Sequence, residues 1–343
     1  TRWRAPVSRS VRRGCRYRRR RRLLPGHRSR RNMVANVPAP LHAVFRRQHG
    51  VASVQQCHEA GLARSTLDYL LRRGDLVAVL RGVVASPSVE LTELSRCAAV
   101  CVAHPRVVIA GPTAGRLWSF RLLPRDQRIH VIAPRHWKAT VESWCRSYRT
   151  DAIGVDDVVH RADGIRLTTR QRTALDLSRF VTDDDRLLSI IEQAAHDGGL
   201  RDGDLRAVAL DRLPGRPWVS RYLDVVDRRL AGPAAESDPE VRVGVALERA
   251  GVSGLQRQWP LDLPGSGRIR FDLALPDQQE AIEVDVFPTH RETIGQRRDR
   301  SRDAEVEQFG WTVHRIDEAS YRRRFDTTVS DLARRLRSAR HVA

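Results

Sequence analysis

The sequence predicts an α+β protein of several domains, and three observations carry that prediction. At 343 residues the chain is long enough for two or three domains, and 41% hydrophobic with 30% charged residues marks it as globular. Helical periodicity with capping signals recurs between residues 41 and 230, with short strands interleaved. Strict alternation over residues 268–286 then marks two strands around a polar turn. No apolar run comes near the roughly 20 residues of a membrane span, so no membrane partner is expected and the expected location is cytoplasmic. Five cysteines (Cys15, Cys57, Cys97, Cys101 and Cys145) lack a CxxC or a histidine at zinc spacing. They are expected as reduced thiols, with no disulfide or zinc site.

The formal charge of +20 is unevenly distributed. Residues 1–34 hold fourteen arginines and no acid, which leaves +6 for the remaining 309 residues. This tail has no hydrophobic periodicity and is expected to be disordered. The chain begins with Thr1 and its one methionine is Met33. The tail is therefore expected to be translation upstream of the start, with a basic nucleic-acid arm and an Arg-rich targeting segment as alternatives. The mildly basic body suits a nucleic-acid partner.

Taken in order, the body opens with a short helix over Leu41–Gln48, ended by His49-Gly50. Ser53 and Gln56 stand at capping-box spacing before a second helix over Val54–Ala60. Ser65 and Asp68 offer another cap for a third helix, Arg64–Arg73, stopped by Gly74. Leu76–Val84 reads as a hairpin broken at Arg81-Gly82. Three helices and a β wing over residues 38–88 make a winged helix-turn-helix, with Arg64, Arg72, Arg73 and Arg81 as its DNA-contacting residues. Residues 89–232 read as a mixed α/β middle domain: a helix over 91–103, the strand "RVVIAG", a helix after Gly111-Pro112 and the strand "RIHVIAP". A helix capped by Thr169 or Thr168 follows, then helices over 184–196 and 218–230. Arg170 and Arg172 read as decoration of a helix start. "AGPAAESDPE" reads as a linker. The last domain, residues 233–343, has a helix over 238–250, strands near 255–260, 268–275 and 280–286, a helix over 294–309 and the strand "WTVHRI".

The hairpin of that domain carries three carboxylates, Asp272, Glu283 and Asp285, off the face formed by Ile269, Phe271, Leu273 and Leu275. A symmetric loop pairs Leu275 with Glu280 and sets Asp272 opposite Glu283. Opposed side chains lie roughly 4.5–5.5 Å apart at Cβ, where like charges destabilise a sheet. A divalent cation would remove that repulsion; a solvated sheet face is the plainer alternative.

Two resemblances extend this reading. "PEVRVGVALERAGV", "RFDLALPDQQEAIEVD" and "RRDRSRDAEVEQFGWTVHRI" resemble the PD-(D/E)XK nuclease superfamily, and more closely its small Vsr-like endonuclease-related domains. That likeness implies a restriction-endonuclease-like α/β fold, with Asp272 and Glu283 binding Mg²⁺ (or Mn²⁺) for phosphodiester hydrolysis. Glu240 would be either a further active-site acid or a capping partner of Ser237. Asp285 stands where the superfamily has lysine, so His290 becomes the nearest candidate base. Arg302 and Asp303 would orient the site or contact phosphate. "HGVASVQQCHEAGLARSTLDYLLRRGDLVAVLRGVVA" with "DGIRLTTRQRTALDL" resembles AbiEi-type antitoxins and transcriptional regulators, which implies double-stranded DNA and a cognate toxin as partners. The combined expectation is a metal-dependent endonuclease directed by a winged helix. The alternative is an AbiEi-like repressor whose nuclease-like domain is catalytically inactive.

Overall fold

Ser53 and Gln56 close the start of a helix as their spacing predicts. Ser53 Oγ accepts from the Gln56 amide at 3.0 Å, and Gln56 Oε1 accepts from the Ser53 amide at 2.8 Å. Two N–H groups that a helix start leaves without partners are thereby satisfied. In the computed structural model, which describes residues 37–137, 142–212, 216–286 and 302–339, this is α2 (Val54–Glu59). It follows α1 (Ala39–Arg47) and β1 (Val51–Ser53) and precedes α3 (Arg64–Arg73). Gly74 ends α3 in the left-handed conformation, φ 81°. The expected Ser65 cap is corrected: Ala63 holds the cap position without a side-chain bond, and Ser65 lies inside the helix. β2 (Val77–Leu80) and β3 (Val83–Ala85) turn at Arg81-Gly82, with Gly82 at φ 78°. The sheet order β1-β3-β2 completes the arrangement of a winged helix.

The middle region is built on a five-stranded sheet of order β6-β5-β4-β8-β7. Its strands are β4 (Val108–Ile109), β5 (Ile129–Ala133), β6 (Cys145–Arg149), β7 (Val158–His160) and β8 (Arg166–Thr168). The last three were not foreseen, because each is short and mixes charged with apolar side chains. α4 (Glu93–Ala103), capped by Thr92, packs between this sheet and the wing. One apolar cluster joins Val51, Val83 and Ala85 to Cys97, Cys101, Ile109, Val131 and Leu167. α5 (Gly111–Leu117), α6 (Arg170–Leu177), α7 (Asp184–Gly198), α8 (Asp202–Arg212) and α9 (Pro217–Asp227) follow. Thr169 caps α6, accepting from the Arg172 amide. Arg172 does not decorate the helix start. It is 1% exposed and bonds Asp157, Asp176 and the Ala152 carbonyl.

α10 (Asp238–Arg249) introduces the last sheet, of order β12-β11-β10-β9. β9 (Gln256–Leu263), β10 (Gly267–Leu275) and β11 (Glu280–Asp285) run antiparallel, and β12 (Thr312–Asp317) joins β11 in parallel. A helix over residues 302–308, α11, precedes β12; the expected start of this helix at residue 294 lies outside the described residues. α12 (Glu318–Arg323) and α13 (Phe325–Ala339) are the last elements among the described residues. The stretch expected to be a linker is packed instead. Ala235 is buried, its amide donates to Glu192, and Val241 and Val245 of α10 share one core with α6, α7, α8 and α9.

Candidate functional site

Two surfaces hold the residues singled out in the sequence. On α3, Leu67 and Leu70 are buried, so Arg64, Asp68 and Arg72 at i, i+4 and i+8, with Ser65, Tyr69 and Arg73 beside them, form the solvent face. Arg64 and Arg72 make no ion pair among the described residues. Arg73 is engaged: it meets Asp75 at 3.0 Å, donates to the Tyr69 hydroxyl at 3.0 Å and stacks on that ring. Arg81 is exposed at the wing turn, next to Gly82.

The second surface is the central hairpin of the last sheet. The register is the expected one, Leu275 opposite Glu280 and Leu273 opposite Ile282, but the ladder stops one step short of Asp272 and Glu283. Asp272 Oδ2 accepts from the Val284 amide at 2.8 Å, so a side chain occupies a donor on the neighbouring strand. The expectation that Ile269, Phe271, Leu273 and Leu275 share a face is corrected. Ile269 and Phe271 pack with Val306 and Trp311, whereas Leu273 and Leu275 pack with Val243, Leu247 and Leu332. The phase breaks at Asp272, between the bridged pairs Phe271–Trp259 and Leu273–Arg257, where Gln258 takes φ 51°. Such an irregularity redirects a side chain as a β-bulge does.

Asp272 is consequently not on a solvated face. Burial pushes its carboxyl up to about 7; the Val284 N–H opposes that shift, and Glu240, Glu283 and Asp285 add to it. The fold thus brings all four acids into electrostatic reach. Their other partners differ. Glu240 is 7% exposed, and its Oε2 accepts from Gln258 Nε2 at 2.8 Å and from the Glu236 amide at 3.0 Å. Ser237 Oγ accepts from the Glu240 amide, so Ser237 supplies the helix cap while the Glu240 carboxylate binds elsewhere. Glu283 lies 3.1 Å from Arg315 Nε and 3.6 Å from Arg302. Arg315 also forks onto Asp303 at 2.6 and 2.9 Å. Asp285 is exposed and registers with Asp317 of β12, whose side chain caps α12. His290 lies outside the described residues.

Gln258 and Arg315 are the members that sequence reasoning missed. Arg315 had a findable signal, since a parallel β12 beside β11 sets it opposite Glu283. Gln258 had none, because its burial depends on the phase break. Among the described residues no group of three or more His, Cys, Asp or Glu side chains is placed to hold a metal ion.

Residues 41–87 match the family model AbiEi_4, described as "Transcriptional regulator, AbiEi antitoxin". Two proteins of Mycobacterium tuberculosis, "Uncharacterized protein MT2308" (strain CDC 1551 / Oshkosh) and "Uncharacterized protein Rv2248" (strain ATCC 25618 / H37Rv), are similar over most of the chain. Each is 26% identical over 281 residues, which is 81% of this chain and 99% of the relative. A solved structure, "Crystal structure of RV2827C protein from Mycobacterium tuberculosis", aligns with a TM-score of 0.37 and 19% identity, over 55% of this chain and 76% of that one. The family match supports a DNA-binding regulator. No helix among the described residues is long and apolar enough to cross a membrane.

Proposed function

We propose that the chain is a transcriptional regulator of the AbiEi antitoxin type that binds duplex DNA through α3 and the wing. The observation that carries this reading is the face of α3, where the apolar stripe turns inward and Arg64 and Arg72 stand exposed one above the other. A helix of this kind enters the major groove, and Arg81 on the wing reaches the adjoining backbone. Asp68, between the two arginines, gives the face one acceptor suited to a cytosine amino group. A toxin encoded beside it is the protein partner this reading implies.

Replacing Arg64, Arg72 and Arg81 with alanine should flatten the salt dependence of duplex binding. Each lost phosphate contact removes roughly one unit of log–log slope, so about three units should disappear. Arg73→Ala should change it less, because Asp75 and Tyr69 already hold that guanidinium. An unchanged slope in the triple variant, measured by fluorescence anisotropy across salt concentrations, would remove α3 from the interface.

A second reading is favoured by one observation, the Asp272 carboxyl pushed up to about 7 beside three other acids. On this reading Asp272 and Glu283 hold Mg²⁺ or Mn²⁺, and Arg315 and Arg302 release Glu283 as they turn to phosphate. The cation would supply water activation and charge neutralisation at a phosphodiester. Asp285 in place of a lysine weighs toward cation binding without cleavage. Plasmid nicking that requires Mg²⁺ and vanishes in Asp272→Asn would establish hydrolysis; cation binding without nicking would leave the regulator alone.

A further inference from the structure

A cavity of about 350 Å³ opens beside the carboxyl ends of β5 and β6, bounded by the end of α6 and the start of α9. It shares no lining residue with the DNA-binding face or with the acidic hairpin. Its size falls within the range of small-molecule sites. Three exposed arginines contribute to the lining, Arg149, Arg179 and Arg216, and none makes an ion pair among the described residues. Several guanidiniums lining one concavity without an ion pair attract an anion, and their planar donors suit phosphate. The walls are aromatic: Tyr148, Phe180 and Trp218. Tyr148 and Phe180 meet edge to face at 5.6 Å, and Arg179 lies 4.6 Å from the Tyr148 ring.

The buried lining narrows the ligand further. Asp176 is tied through Oδ1 to Arg172 at 3.1 Å, while its Oδ2 is buried and accepts no hydrogen bond. An inorganic anion held on the three arginines would leave this buried oxygen without a partner. A heterocycle with an N–H edge would supply the donor it lacks. We propose that this cavity binds a nucleoside monophosphate, its phosphate on Arg149, Arg179 and Arg216, its base against the aromatic walls with an N–H edge toward Asp176.

Isothermal titration of the full chain with AMP, GMP, adenosine and inorganic phosphate tests the assignment. Saturable binding of AMP or GMP is expected, at least about tenfold tighter than inorganic phosphate or adenosine. Arg149→Ala with Arg179→Ala should weaken the nucleotide by about tenfold or more, and Arg216→Ala, on an exposed side chain, gives an independent reading if the double variant folds poorly. Arg64→Ala with Arg72→Ala should leave nucleotide affinity unchanged, which separates this site from the DNA-binding face. The assignment is overturned by absence of saturation up to about 1 mM nucleotide. It is equally overturned if phosphate alone binds as tightly, if affinity survives the arginine substitutions, or if the Arg64 and Arg72 substitutions abolish it.

Discussion

Asp272 is half protonated near neutral pH, since its carboxyl is pushed up to about 7. In the unfolded chain the same group titrates near pH 3.9. The folded protein therefore binds the extra proton between about pH 4 and 7, and the contribution of this group to stability falls as pH rises through that window. At about 1.4 kcal/mol per unit, the upper bound of the loss is about 4 kcal/mol. Asparagine keeps an oxygen for the Val284 amide but cannot ionise. Asp272→Asn should accordingly be more stable than the parent at pH 8, with the advantage shrinking as pH is lowered toward 4. Thermal melts across that range measure it, and an advantage independent of pH would contradict the assignment. Under the cation reading, Mg²⁺ or Mn²⁺ at pH 8 should raise the melting temperature of the parent chain and leave Asp272→Asn unmoved, because a ligand bound only to the native state stabilises by mass action.

Among the elements, α7 meets the last sheet through a buried charge cluster. Glu192 is 2% exposed and accepts from Arg229 Nε at 2.8 Å and from the Ala235 amide at 2.9 Å, and it also contacts Arg257. Arg229 and Arg257 bring charge from the turn after α9 and from β9, so one carboxylate fastens three segments. Arg257 further donates to the carbonyls of Leu230 and Gly232. Removing the carboxylate leaves the buried Arg257 guanidinium without a counter-charge and leaves Arg229 only the exposed Asp202, and breaking a buried pair in this way costs about 3–5 kcal/mol. Glu192→Ala should lower unfolding stability by that amount in urea titrations. A loss below about 1 kcal/mol, the value of an exposed pair, would show that the cluster is solvated.

At the scale of the whole molecule, the described residues from Pro38 onward form a single compact unit. The wing contributes Val51, Val83 and Ala85 to the core of the middle sheet. α10 contributes Val241 and Val245 to the helical core before it. A fragment comprising residues 233–343 would expose that face of α10 and separate Arg257 from Glu192. It should melt well below the intact chain, and calorimetry of the two would settle the matter; equal melting temperatures would mean that the shared core adds nothing to the last sheet. Cation and nucleotide titrations therefore belong on the full chain.

The sequence by itself determined what is encoded within a few neighbouring residues. Ser53 with Gln56, a threonine cap before α6 at Thr169 or Thr168, Gly74 after α3 and the Leu275–Glu280 register were all legible, because capping and turn chemistry act over one to five positions. The exposed arginines of α3 were legible for the same reason, through the 3.6-residue period. The tertiary structure alone decided the rest. β1, β6, β7 and β8 run three to five residues, too few for alternation to register, and exist through pairing with distant strands. Arg172 reads as a surface residue until Asp157 and Asp176 surround it. Asp272 reads as one acid in an alternating strand until the break opposite Gln258 turns it inward, and only then does its carboxyl acquire a proton near neutral pH. Burial is a property of what packs from elsewhere in the chain, and desolvation, which sets the charge state of that group, follows from burial.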